Sequence, residues 1–229
     1  MVLNLKNKIK SIFKYIYESF LDLIYNKKCI VCGCSKQDNF LCKTCAKDVY
    51  YLSSFAHKIY KNIPIYSVCL YNGSVKTLIH KLKFSHRKNA SIPLARFLFE
   101  YFEKIREDKD YIITFPPSYF IKSAQRGYNH MYLIAKEFGF LSKIPVEKDL
   151  IKKIKYTKPQ YKVKDRRKNI LNSFKINSNL KDKNLKNKTV ILIDDITTSG
   201  ATLEEIINCF IKENIVNIIC LTVSKSENG

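Results

Sequence analysis

Val190-Ile191-Leu192-Ile193-Asp194-Asp195-Ile196-Thr197-Thr198-Ser199-Gly200-Ala201-Thr202 is the stretch on which the reading of this chain turns. Its first four residues form a short, mostly β-branched apolar run, as expected of a buried central strand. Two carboxylates follow, and ligands of open α/β sheets bind in the crevice at the carboxyl ends of strands. The strand is therefore expected to end at Ile193, with Asp194 and Asp195 at its lip. The next residues are small, hydroxylated and include one Gly, and Thr202 opens a helix. The first turn of a helix carries N–H groups with no intrahelical partner, so the segment is an anion cradle.

The order of the parts narrows the anion. Paired acids can accept hydrogen bonds from the 2- and 3-hydroxyls of a ribose, while the N–H groups and hydroxyls beyond them grip a 5-phosphate. Acids first and cradle second fits a sugar phosphate, with Thr197, Thr198, Ser199, Gly200, Ala201 and Thr202 as the phosphate contacts. A Walker loop would need a Gly-Lys-Ser or Gly-Lys-Thr ending and a dinucleotide fold Gly-x-Gly-x-x-Gly; the stretch has neither. A plain strand-turn-helix with a threonine cap explains the hydroxyls but not two adjacent acids.

Working outward, strand-like runs at Ile65 to Tyr71, Tyr111 to Phe115, Thr189 to Ile193 and Ile215 to Val223 alternate with helical patterns. The helical patterns cover Val75 to Phe84, Ile92 to Ile105, Tyr128 to Phe138 and Thr202 to Lys212. Such alternation predicts an α/β fold, because parallel strands need crossover connections and helices covering both sheet faces. The main domain is expected over 63–229, preceded by a connector from Ser53 to Asn62. Between Lys152 and Lys188 the chain turns basic and polar around Pro159, which suggests a mobile loop and a short irregular or hairpin region.

Upstream, Cys29-x-x-Cys32 and Cys42-x-x-Cys45 supply two thiolate pairs across a short loop, the spacing of a tetrahedral four-cysteine zinc site. Four protein sulfurs leave no open coordination position, so the zinc is structural. Cys34 is an alternative ligand to Cys32, and His57 a remote one. A module of 29–51 is too short to hold itself together by apolar burial alone. Cys69, Cys209 and Cys220 fall within strand or helix patterns and are expected in the core.

With 229 residues the chain can bury one main core and carry a small appendage, and 46% hydrophobic residues exclude disorder on the scale of the whole. The formal charge of +21 favours a polyanionic partner, nucleic acid or anionic lipid. Only six of the 41 basic residues are Arg, however, so compositional bias toward Lys is an equal explanation. No apolar run reaches the length of a membrane span and the start does not resemble a signal peptide, which places the protein in the cytoplasm. Over 1–28, Ile12, Phe13, Ile16, Phe20, Leu23 and Ile24 mark an amphipathic helix that docks on its own domain or lies on an anionic membrane surface.

The apolar run followed by Asp-Asp-x-Thr-Thr-Ser-Gly-Ala-Thr resembles the binding loop of type I phosphoribosyltransferases. Phe115-Pro116-Pro117-Ser118, Gln125-Arg126-Gly127-Tyr128-Asn129-His130, Leu82-Lys83-Phe84, Gln160, Arg166, Asn169 and Phe174, with the cysteine module, are together similar to the ComF family, ComFC-like branch. The resemblance covers the chain from about Phe20 onward. It implies a type I phosphoribosyltransferase fold behind a zinc finger, binding phosphoribosyl pyrophosphate with Mg²⁺. Asp194 and Asp195 would hold the ribose hydroxyls directly or through Mg²⁺, and Lys83, Arg126 and Arg166 would face the pyrophosphate. It further implies service in DNA uptake during natural transformation, with single-stranded DNA and a helicase or recombination mediator as partners. A metabolic transferase that joins phosphoribose to a nucleobase or other acceptor, releasing pyrophosphate, is the rival reading. Two departures stand out: Lys122 where Arg is common, and a short Gln160–Arg166 spacing.

Overall fold

The protein is described by a computed structural model at residues 28–35, 40–53, 55–117, 127–155, 157, 165–177 and 185–226. Helix α1 (Lys43–Lys47) belongs to the cysteine module. Strands β1 (Lys58–Tyr60) and β2 (Ile63–Leu70) lead into helices α2 (Gly73–Phe84) and α3 (Ser91–Ile105). Strand β3 (Tyr111–Thr114), helix α4 (His130–Ser142) and strand β4 (Ile151–Lys153) follow, then α5 (Arg166–Ile170) and β5 (Phe174–Ile176). Strand β6 (Thr189–Thr197), helix α6 (Ala201–Lys212) and strand β7 (Ile218–Lys225) complete the domain.

The main sheet has five strands in the order β1-β2-β7-β6-β3. Its last four pair parallel and β1 joins the edge antiparallel, while β4 and β5 form a separate antiparallel pair. The α/β expectation holds. Successive residues of a strand face opposite sides, so β6 feeds two cores. Ile191 and Ile193 enter one layer with Leu78 and Leu82 of α2, Leu94 and Leu98 of α3, and Ile134 and Phe138 of α4. Val190 and Leu192 enter the other with Ile206, Ile207 and Phe210 of α6 and Phe174 of the hairpin. All four of these β6 residues are fully buried, and burial of a side chain of this size contributes about 1.5–3 kcal/mol. Cys69 and Cys220 are fully buried and Cys209 nearly so, as expected of apolar positions.

Two boundaries differ from expectation. Strand β6 does not stop at Ile193: Asp194, Ile196 and Thr197 stay in register with Thr222, Ser224 and Lys225 of β7. A charged pair marks the end of an apolar pattern, not the end of a hydrogen-bonded ladder. The connector from Ser53 to Asn62 is likewise not outside the sheet, since it contains β1, and the backbone on either side of residue 54 bonds to β2 through Leu52 to Val68 and His57 to Ile65. The helix expected over 1–28 lies outside the described residues except for Lys28. No described helix is long and apolar enough to cross a membrane.

The cysteine module is seated on α2. Lys81 donates to the carbonyls of Ile30 and Val31 at 2.5 and 3.3 Å. Asp48 accepts from the Ser74 N–H at 2.7 Å and its hydroxyl at 3.0 Å, capping α2 from across the interface. Asn72, the residue at the capping position, makes no side-chain cap of its own. Loss of a helix cap costs about 1 kcal/mol, and Asp48→Ala is expected to lower unfolding stability by about that amount in a urea titration, with ellipticity at the start of the titration unchanged.

Candidate functional site

Alternation along β6 separates the two acids that the sequence sets side by side. Asp194 continues the side of Val190 and Leu192 and lines a small cleft with Ile196, Thr197, Thr198, Ser199 and Gly200, closed by the first residues of α6. Asp195 continues the side of Ile191 and Ile193 and is buried toward α2 and α4. There its Oδ2 lies 2.6 Å from Lys83 Nζ and 2.9 Å from His130 Nε2. The expectation that both carboxylates face the bend together is corrected for Asp195, because neighbours in a strand point opposite ways.

The bend itself has the features of an anion cradle. Gly200 adopts φ +77°, a left-handed conformation that glycine takes without steric cost. Thr198, Ser199 and Thr202 are partly exposed, whereas Thr197 is buried with its hydroxyl oxygen lacking a partner among the described residues. A buried hydroxyl without a hydrogen bond is costly. Thr197 also lines the cleft beside Asp194.

Charge is distributed unevenly between the acids. Burial pushes Asp194 up to about 7, with the neighbouring Asp195 adding to the effect. For Asp195 burial acts in the same direction, but the Lys83 ammonium and then the His130 hydrogen bond outweigh it and hold the carboxyl well below the usual range. Asp195 is thus a fixed anion, and Asp194 a carboxylate that gains from a cation or a hydroxyl donor.

Sequence reasoning missed a second set of contacts. Lys58 of β1 donates to the Ser199 carbonyl at 3.2 Å and also pairs with Glu204, a buried acid in the first turn of α6. Arg167 reaches the same carboxylate at 3.2 Å from the surface. Lys58 therefore ties the edge strand to the cradle, although 141 residues separate it from Ser199. An acid beside the helix start was visible in the sequence; its partners were not. Asn129 caps α4 by accepting from Met131 and Tyr132 N–H groups, and Tyr128 donates to the Leu82 carbonyl at 2.6 Å. Those bonds aim His130 inward. Of the expected cations, Lys83 reaches the acids, while Arg126 and the side chain of Arg166 lie outside the described residues.

The four sulfurs of Cys29, Cys32, Cys42 and Cys45 lie within 4.8 Å of one another, and Cys32 and Cys42 are 3.7 Å apart. A tetrahedron with metal–sulfur bonds of about 2.3 Å separates sulfurs by about 3.8 Å, so the cluster is compatible with a structural zinc. Cys34 is exposed and is not among the four. Cys29 N–H donates to the Cys34 carbonyl at 2.9 Å and Gly33, at φ +78°, donates to the Cys29 carbonyl at 2.8 Å, which shapes the knuckle. Backbone N–H donation from Cys45, offset in part by burial, holds the Cys42 thiol at about 6.

The family model of the phosphoribosyl transferase domain matches residues 124–228, the part of the chain in which the parallel sheet carries the acid-then-hydroxyl loop leading into a helix. The chain is also similar to Competence protein F of Haemophilus influenzae, at 26% identity over 210 residues, covering 80% of this chain and 90% of that protein. Domain and relative agree with the ComF resemblance read from the motifs. Among solved structures, the chain overlaps a hypothetical protein from Neisseria gonorrhoeae with bound ppGpp at 15% identity and a TM-score of 0.37, covering 60% and 68% of the two chains. It overlaps adenine phosphoribosyl transferase from Trypanosoma brucei, in complex with AMP, pyrophosphate and ribose-5-phosphate, at 10% identity and a TM-score of 0.40, covering 81% and 79%.

A carboxyl whose folded pKa is raised contributes stability below its unfolded value and loses it as pH rises through the folded value. For Asp194 that window runs from about 4 to about 7. Asp194→Asn is therefore expected to raise Tm at pH 8 in the ligand-free, chelator-treated protein, with the gain shrinking as pH falls toward 4. A gain that scanning calorimetry finds equal at pH 5 and pH 8 contradicts the assignment.

Proposed function

We propose that this chain is a ComF-type phosphoribosyltransferase-domain protein whose cradle, Thr197 to Thr202, holds the 5-phosphate of phosphoribosyl pyrophosphate or a related sugar phosphate. In this reading it serves natural transformation in the cytoplasm by handling incoming single-stranded DNA. The observation that carries the ligand is a single cleft lined by Asp194 together with the whole hydroxylated bend from Thr197 to Thr202. The family model, the relative named Competence protein F and the charge of +21 support the wider role.

Each residue then has a defined task. Hydroxyls and N–H groups of the cradle bind phosphate oxygens, with Gly200 allowing the backbone to turn around them. Lys58, by holding the Ser199 carbonyl, fixes the cradle before ligand arrives and so reduces the ordering cost of binding. Asp194 accepts from a ribose hydroxyl or holds Mg²⁺, which when bound with the ligand neutralises pyrophosphate charge. Asp195 keeps Lys83 and His130 oriented behind it; Lys83 meets a pyrophosphate only by leaving that carboxylate. Arg126 and Arg166 are proposed as the further cations toward the pyrophosphate.

Titration calorimetry with phosphoribosyl pyrophosphate and Mg²⁺ tests this. Wild type is expected to bind, Asp194→Asn to bind at least about tenfold more weakly, the loss of about one charge-assisted hydrogen bond. Gly200→Ala is expected to lose binding by straining the turn. Absence of heat in wild type sinks the ligand, and pyrophosphate release with a nucleobase would instead make the chain a metabolic transferase.

Cys29, Cys32, Cys42 and Cys45 are proposed to hold one structural zinc. Elemental analysis of the purified protein is expected to find about one zinc per chain. Cys42→Ser should lose the metal and melt at lower temperature, and a metal-free wild type of unaltered Tm would count against the assignment.

A further inference from the structure

A second concavity shares no described lining residue with the cradle. It is an open groove of about 580 Å³ between the end of β3, the start of α4 and strand β4. Its lining is of two kinds: Phe115, Tyr132 and Ile154 are aromatic or apolar, and Lys148, Lys152 and Lys153 are basic. Tyr132 leaves 38% of its surface exposed, and Ile154 beside it leaves 55%. The Tyr132 ring is not loose on the surface, because it leans on the buried Phe115 ring with centroids 6.2 Å apart and planes tilted by 45°. The Asn129 cap fixes the turn from which it projects. Lys148 and Lys152 are exposed, and Lys153 is steadied by donating to Thr157 at 2.7 Å. Among the described lining residues Asp149 is the single acid.

A supported aromatic face among lysines is the two-part chemistry that binds unpaired nucleotides: any base can stack, and ammonium groups follow the phosphates. A duplex hides its base faces and could use only the lysines. Stacking and phosphate contact of this kind do not depend on base sequence. We propose that this groove takes single-stranded nucleic acid, with an unpaired base on Tyr132 and backbone phosphates on Lys148 and Lys152. The proposal rests on the reading that the chain handles single-stranded DNA, and it assigns that task to a surface apart from the sugar-phosphate cleft.

Fluorescence anisotropy of a labelled oligodeoxythymidylate, measured over a series of salt concentrations, tests it with the full chain. Tyr132→Ala is expected to weaken binding at least about fivefold, the loss of one stacked base, with Tyr132→Phe close to wild type. The double variant Lys148→Gln, Lys152→Gln is expected to lower the slope of log affinity against log salt by about 1.4, two phosphate contacts at about 0.7 each. Both should bind phosphoribosyl pyrophosphate as wild type does. If wild type binds the strand but Tyr132→Ala matches it and the double variant keeps the full slope, the groove is wrong while the DNA-handling reading stands. Absence of strand binding by wild type at low salt overturns both. A duplex of the same length competing equally well also removes the groove, because it cannot use the ring.

Discussion

Burial of β6 between two helical layers is the constraint from which the site follows. The strand pairs in parallel on both sides, with β3 and β7, so its backbone is fixed, and its side chains have only two directions to take. Apolar residues fill both directions up to Ile193, and the same alternation carries on through Asp194 and Asp195. One acid must therefore enter each layer. On the α2–α4 side the carboxylate is buried, and an isolated charge there would be expensive. Lys83 and His130 supply the compensation, and the acid stays ionised. On the other side the strand meets the bend before α6, and Asp194 lines the cleft there; burial and then the Asp195 charge raise its pKa, and the more distant Lys83 offsets them only in part. Two chemically identical residues acquire different protonation from geometry alone.

The bend depends on a part of the chain that is far away in sequence. A loop of small residues has little packing of its own, and left alone it would sample many shapes. Lys58 removes much of that freedom by bonding the Ser199 carbonyl, while Glu204 keeps the ammonium in place from the first turn of α6. The Glu204 carboxylate is buried, so these partners matter more than the exposed Arg167 that also touches it, since an exposed ion pair contributes little. Gly200 is favoured by its left-handed backbone, while an added Cβ would lie 3.3 Å from Lys58 Nζ, the end of a flexible side chain.

Much of this could be seen in the residues. The apolar run of β6, the helical periodicities and the cysteine spacing are local patterns, and local patterns survive in sequence. The α/β class followed from them. What stayed hidden was of two kinds. Chain adjacency was read as spatial adjacency for Asp194 and Asp195, though in a strand it means opposition. That error came from ending β6 where its apolar residues end, a boundary the ladder with β7 ignores. The second kind was long-range pairing: neither Lys58 among so many lysines nor its partner Glu204 carries any mark of the other, 146 residues away. Tyr132 was hidden similarly, as one more residue of an amphipathic helix until Phe115 appears beneath it.

Helix α2 joins the cysteine module to the site. Its Lys81 bonds the knuckle carbonyls beside Cys29 and Cys32, its first turn is capped by Asp48 of the module, and Lys83 on the same helix meets Asp195. A helix is stiff along its axis, so a shift at one contact is carried to the other. The module itself buries little besides Cys29, Cys42, Cys45 and Val49 among the described residues, too few apolar groups to define a unique packing. Four sulfurs so close together repel one another as thiolates and gain little as thiols, whereas a shared cation turns their proximity into bonding. The order of the module, and through α2 the setting of Lys83 against Asp195, then depends on what the four sulfurs share, more than on the few side chains around them.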